Sequence, residues 1–221
     1  ERPAPPPRYQ TALTEPVEVC GPGTFFGKAI RRVTLEPWRR DGWWIDRTDL
    51  EHALPTRVSI RNVWTTGRLV RNIVLRSGPP HNYIRMVEHI ICLRLGLGLD
   101  NVMIRIESGD PPLFERGSLD LSEAVERARP TQTETPIRYV TVREPVAMCT
   151  AGGSLLMLEP AAPDRPVLDI DCGIDFDNII GRQRIRFTLT PDRFKTGAFA
   201  RTNTSALKIL YCRSIGLLFA D

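Results

Sequence analysis

Apolar and polar residues alternate in three short stretches early in the chain: Val17-Glu18-Val19, Val33-Thr34-Leu35 and, after Asp41-Gly42, Trp43-Trp44-Ile45. A period of two puts every second side chain on one face of an extended strand, and the turn-forming Gly21-Pro22-Gly23 lies between the first two, so they are expected as paired strands. Val58-Ser59-Ile60, Ile73-Val74-Leu75 and Val102 to Ile106 are further strand candidates. From Tyr83 to Leu97 the period changes. Val87, Ile90, Ile91 and Leu95 recur at helical spacing, and Gly96 and Gly98 mark the stop. A second helix is expected from Asp120 or Ser122 to Arg129, closed by Pro130. Strands are then expected at Val167 to Ile174 and Arg184 to Leu189. The stretch Pro191 to Leu210, behind the N-cap candidate Thr190, reads as partly helical.

The chain repeats itself. Arg8-Tyr9-Gln10-Thr11 leads into Glu15-Pro16-Val17-Glu18-Val19-Cys20, and Arg138-Tyr139-Val140-Thr141 leads into Glu144-Pro145-Val146-Ala147-Met148-Cys149; Leu35-Glu36-Pro37 is echoed by Leu158-Glu159-Pro160. Three matches in one order predict two similarly folded domains, each opening with a hairpin. The expected division is a disordered, proline-rich lead-in over 1–8, a first domain over 9–130, a polar linker over 131–136 and a shorter second domain over 137–221. Gly152-Gly153 reads as a hairpin turn, because no helix follows it to make a phosphate loop.

Composition narrows the classes. At 221 residues and 42% hydrophobic content the chain can bury one large core or two small ones, and its apolar runs fall short of the roughly 20 residues that span a bilayer. No basic-plus-apolar leader precedes the first strand, so a cytoplasmic protein without a membrane span is expected. The five cysteines (Cys20, Cys92, Cys149, Cys172, Cys212) have no CxxC spacing and read as buried reduced thiols. The net charge of +4 is carried almost wholly by arginine, spread without aromatic interleaving, so no nucleic-acid partner is expected. Of Trp43 and Trp44, one is expected in the core and one at the surface.

Candidate chemistry centres on Glu88 and His89. On a helix their side chains diverge by about 100°, which suits two neighbours around one small object, such as a metal ion and its bound water. By themselves they could equally be polar residues at a helix N-terminus. The surrounding sequence is more specific. Val87-Glu88-His89 followed by Leu95-Gly96-Leu97-Gly98-Leu99-Asp100-Asn101 resembles the V-E-H…L-x-G-L-G-I-D-N signature of the UDP-3-O-acyl-N-acetylglucosamine deacetylase (LpxC) family. In order, Gly21-Pro22-Gly23-Thr24-Phe25-Phe26-Gly27-Lys28 resembles that family's G-x-G-L-H-x-G-K loop, and Asp46-Arg47-Thr48-Asp49-Leu50 its R-R-T-D-L strand. Ile174-Asp175-Phe176 resembles its I-D-F, and Ala200-Arg201-Thr202 its A-R-T-F.

The resemblance implies an α+β fold of two similar domains, each a small mixed or antiparallel sheet layered on helices, with the second shortened here. It implies zinc as cofactor, with His89 as a ligand and Glu88 as general base on the zinc-bound water, and Thr202 as an oxyanion-stabilising group. The substrate would be a UDP-linked acylated glucosamine that loses acetate. Several positions depart from the family. The sequence holds no H-x-x-x-D to complete the ligand set, and Phe25 replaces the loop histidine. Phe114-Glu115-Arg116-Gly117-Ser118 stands for M-D-G-S, Asn203 for the phenylalanine after Ala-Arg-Thr, and Glu159 for a basic residue. An open catalytic zinc site normally takes three protein ligands. The sequence therefore favours a catalytically degenerate relative that keeps a nucleotide-sugar or acyl-chain groove. An active zinc deacetylase completed by further polypeptide stands second, and a structural or interaction module third.

Overall fold

The computed structural model describes residues 8–23, 29–65, 73–112, 116–177, 180–200 and Leu210. In chain order, β1 (Tyr9–Ala12), β2 (Val17–Pro22), β3 (Ile30–Pro37), β4 (Trp43–Arg47) and β5 (Thr56–Arg57) precede a 3-10 turn at Ile60–Asn62. β6 (Val63–Thr65), β7 (Ile73–Arg76) and β8 (Tyr83–Arg85) lead into α1 (Glu88–Gly96), β9 (Val102–Ile106) and α2 (Leu119–Arg127). The second half contributes β10 (Thr131–Pro136), β11 (Val146–Cys149), β12 (Leu155–Leu158), β13 (Asp169–Phe176), β14 (Gly181–Thr188) and α3 (Pro191–Gly197). This is the α+β class expected from the sequence.

The core lies against a five-stranded sheet ordered β2-β3-β9-β4-β5, antiparallel except where β4 runs parallel to β9. β9 sits in the middle of this sheet and has the composition of a strand covered on both faces. Val102, Met103, Ile104 and Ile106 are buried, and its one charged residue, Arg105, is tied down laterally by Glu36 of β3 (Nε to Oε2, 2.8 Å) and Asp46 of β4. Val33 and Leu35 of β3 with Trp43 and Ile45 of β4 extend the apolar floor. Val87, Ile90 and Leu93 of the α1 region and Leu121 and Val125 of α2 close over it. Each fully buried side chain of this size is worth about 1.5–3 kcal/mol. Trp43 is in the core, as one of the two tryptophans was expected to be, and its indole N–H donates to the Leu99 carbonyl at 2.6 Å; Trp44 is half-buried.

Four expectations change. The first helix begins at Glu88, because Met86 adopts a left-handed backbone (φ 53°) and Tyr83–Arg85 pairs with β7 as a strand. Its buried face is Ile90, Leu93 and Gly96, whereas Leu95 is exposed. Val58–Ile60 is not a strand: Ser59 Oγ accepts from the Arg61 N–H and caps the 3-10 turn instead. The stretch 131–136 is an ordered strand, β10, antiparallel to β1. Cys20, Cys149 and Cys172 are free but exposed, and Cys92 alone of the four described cysteines is partly buried. Cys212 lies outside the described residues.

Beyond β10 the chain forms two separate hairpins, β11–β12 and β13–β14, the first closed through Thr150 to Ser154 around Gly153 as its glycines suggested. β13–β14 is two-faced. Ile170, Cys172, Ile174 and Phe176 share one face with Ile185 and Phe187, while Asp169, Asp171 and Asp175 face Thr188, Arg186 and Arg182 on the other. β11–β12 is apolar on both faces, and Val146, Met148 and the whole run Leu155 to Leu158 are exposed.

α3 docks on α1 through one close approach. A methyl group at Gly96 would lie 2.2–2.5 Å from the Phe194 ring, so Gly96→Ala is expected to destabilise the protein by about 1–3 kcal/mol through overpacking. In a Phe194→Ala background the same change should turn neutral or stabilising, since alanine is the better helix former by about 1 kcal/mol. Equilibrium denaturation of the four variants of this cycle measures the difference.

Candidate functional site

Glu88 and His89 open α1 where the chain turns sharply out of β8. Arg85 is fixed by its N–H to the Gly109 carbonyl (2.9 Å), Met86 supplies the left-handed residue, and the Val87 side chain is fully buried while its carbonyl caps the first turn through Ile90 and Ile91. This hook leaves the two residues no freedom to slide along the helix. The carboxylate of Glu88 accepts from the backbone N–H of Ile73 at 2.7 Å, joining the helix start to β7. The imidazole of His89 points the other way, its Nδ1 lying 3.2 Å from Ser118 Oγ at the start of α2.

A third residue completes this corner. Cys92, one turn after His89, donates its S–H to the His89 carbonyl (3.2 Å), and its Sγ lies 3.7 Å from Ser118 Oγ. Burial pushes the Cys92 thiol up from its ordinary value, partly opposed by its contact with Ser118. Neither Ser118 nor Cys92 was marked as a site residue from sequence. The usable signals were the i, i+3 spacing of a cysteine from the histidine and the Gly-Ser closing Arg116-Gly117-Ser118.

The second half reaches the same place. Gly117 has φ 63°, and a side chain there would stand 2.8 Å from the Ala198 carbonyl and 3.3 Å from that of Ala200. The Glu-His and Gly-Ser stretches, distant in sequence, are thus brought to one corner at Ser118, and the carbonyls of Ala198 and Ala200 pass beside Gly117 next to it. Thr202, Phe25 and Asn203 lie outside the described residues. His52 and His81 do not join the site: His52 is exposed beside Glu51, and His81 serves through its backbone carbonyl, which accepts from Arg47 (3.3 Å).

Two of the resembling stretches turn out to build the scaffold. In Arg47-Thr48-Asp49-Leu50, Arg47 is 9% exposed, grips Asp49 with two 2.7 Å hydrogen bonds and donates to the Tyr83 carbonyl. In Gly98-Leu99-Asp100-Asn101, Asp100 accepts from the Thr11 N–H (2.9 Å), while Asn101 accepts from the Gly42 N–H and donates to Gln10, both at 2.8 Å.

Arg116 shows what one departure does. It lies in a cleft of about 330 Å³ between β2 and α2, where its guanidinium is held by Asp120 (2.7 Å) and by both oxygens of Glu123 (2.7 and 3.0 Å). Those carboxylates raise its pKa further, and Arg116 in turn holds Glu123 below the usual carboxylate range. The cation is spent within the protein. As for zinc, no three His, Cys, Asp or Glu side chains converge among the described residues, and of the implied ligand set they supply His89. The described residues alone do not fit a catalytic zinc ion. No helix among them is long and apolar enough to cross a membrane.

Comparison with known proteins identifies the same family over nearly the whole chain. The family model for "LpxC: UDP-3-O-acyl N-acetylglycosamine deacetylase" matches residues 10–219. A UDP-3-O-acyl-N-acetylglucosamine deacetylase of Solibacter usitatus is 26% identical over 96% of this chain and 68% of its own length. Its counterpart from Thermosynechococcus vestitus is 30% identical over 95% and 70%, and that from Helicobacter pylori 25% over 94% and 67%. The chain spans about two thirds of the length of these relatives.

Replacing Arg116 by Gln removes the main cause of Glu123's low pKa. An NMR titration of the Glu123 carboxyl should show it rising toward the ordinary range, with Arg127 leaving a smaller depression. Because the folded pKa is depressed, the pair's contribution to stability is present above the unfolded carboxylate pKa and is lost as pH falls through the folded value. The Arg116→Gln variant should lack that acid-side loss.

Proposed function

This chain belongs to the LpxC family, and we propose that it carries the base-and-ligand half of a site that deacetylates a UDP-linked, acylated N-acetylglucosamine by amide hydrolysis. The observation that carries this reading is the fixed pair at the start of α1: Glu88 held by the Ile73 N–H and His89 by Ser118. A general base and a ligand must be held in place to act, and here each is anchored to a different element. In this reading Glu88 takes a proton from the attacking water, His89 is one zinc ligand, and Thr202 stabilises the oxyanion. The further ligands come from polypeptide outside the described residues. Supporting this, β11–β12 presents apolar side chains on both faces, the composition of strands made to be covered on both sides.

A second reading, a catalytically silent relative that keeps a sugar-nucleotide or acyl-chain groove, is favoured by Arg116. It fills a family motif position with a cation already neutralised by Asp120 and Glu123.

Metal analysis of the purified chain, with hydrolysis assayed on UDP-linked acyl-N-acetylglucosamine, separates the two. Under the first reading zinc binds and is lost in His89→Ala. Glu88→Gln keeps both fold and metal, because its amide oxygen still accepts from Ile73, yet loses about a hundred- to ten-thousand-fold in rate. No metal and no turnover, with a thermal shift on adding UDP, would establish the silent reading instead.

A further inference from the structure

We infer that Ser118 and Cys92 are positioning residues that fix the tautomer of His89, keeping its proton on Nδ1 and leaving Nε2 as the lone-pair nitrogen. The inference rests on the proposed function only for its purpose, since Nε2 is the nitrogen that would ligate a metal. The placement of the proton follows from the hydrogen bonds themselves.

The deduction begins at an atom that has no choice. The His89 backbone carbonyl can only accept, so the 3.2 Å contact from Cys92 uses the thiol hydrogen. With that hydrogen committed, Cys92 Sγ can meet Ser118 Oγ, 3.7 Å away, only as acceptor, so the serine hydroxyl hydrogen points to sulfur. Ser118 Oγ, its own hydrogen now spent, can meet His89 Nδ1 at 3.2 Å only by accepting, and Nδ1 must therefore carry the hydrogen. A neutral imidazole has one N–H, and Nε2 is left unprotonated. The donors run in one direction around a closed circuit that begins and ends on His89: Nδ1–H to Ser118, Ser118 to Cys92, Cys92 to the His89 carbonyl.

The circuit is built from helix spacing. Cys92 follows His89 by three residues, which brings its side chain back under the His89 carbonyl. Ser118 enters from a different element and is 7% exposed, so water competes little for either of its hydrogen bonds. Ser118 is itself held by the start of α2, where its carbonyl accepts from the Ser122 N–H (2.9 Å) and Ser122 Oγ (2.8 Å). The φ of 63° at Gly117 lets the chain deliver Ser118 to this point while passing close to the carbonyls of Ala198 and Ala200.

The test reads the proton directly. In the full chain, metal-free, labelled with 15N-histidine and held at a pH where imidazole is neutral, long-range 1H–15N correlations distinguish the two tautomers. There are three histidines to assign, and loss of one pattern in His89→Gln identifies it. The expected result is an Nδ1–H pattern for His89, moving largely to Nε2–H in Ser118→Ala and retained in Cys92→Ser, whose hydroxyl both donates and accepts. Cys92→Ala frees the serine hydroxyl to turn toward Nδ1 and should give a mixture. An Nε2–H pattern in the unaltered chain, or an unchanged Nδ1–H pattern in Ser118→Ala, would overturn the inference. The measurement on the unaltered chain needs no variant to fold. Absence of metal or of hydrolysis would unseat the proposed function while leaving the tautomer result standing, and the reverse also holds.

Discussion

The junction between α1 and β9 is the constraint on which the rest of the described structure depends. A helix ending over a central strand leaves a tight turn full of backbone polar groups, and these must find partners or cost stability. Asp100 and Asn101 supply the partners outward, to Thr11, Gln10 and Gly42, and Trp43 caps the Leu99 carbonyl from below. One turn thereby sets the positions of β1, the start of β4 and the axis of α1. With the axis fixed and Met86 hooked at the other end, Glu88 and His89 have one place to be.

Local pattern was enough for the sheet because its strands obey their own periods. Val33 and Leu35 alternate inward on β3, and β9 is apolar on both faces because it is central. It misled where a backbone device overrode periodicity. Tyr83 to Arg85 carries the spacing of the following helix, but a left-handed Met86 cuts it off, and no propensity rule foretells a positive φ at methionine. Ser59 looked like the middle of a strand and is a cap. The polar stretch at 131–136 looked like a linker because its side chains are exposed, and its backbone pairing with β1 left no mark on composition. At the site, Glu88 and His89 were legible as neighbours, whereas Ser118 reaches them only through the packing of α2, which a one-dimensional reading cannot supply.

The two halves of the chain differ in how far they have solved their own burial. The first closes α1 and α2 over one sheet. In the second, β13–β14 carries paired Asp171 and Arg184 side chains beside exposed Ile174, Phe176 and Ile185, and β11–β12 is apolar throughout. Charge pairing on one face and bare hydrocarbon on the other is the make-up of a layer that expects another layer. Among the described residues, the contacts that tie this half to the first include Phe194 against Gly96, Lys195 to Glu126, the Ile137 N–H to the Arg8 carbonyl, and the Ala198 and Ala200 carbonyls beside Gly117.

The pairing of β1 with β10 also sets an order of events. Ala12 faces Thr131, so this ladder cannot form until almost the whole first half has been made, and closing so long a loop is an entropic step that local helix and hairpin formation avoids. During synthesis the first strand can meet the Asp100–Asn101 turn, through the Thr11 carbonyl, before the residues of β10 exist. The strand that finally receives it is also the one that leads into the second half, so its arrival completes the first fold and sets the starting direction of the next.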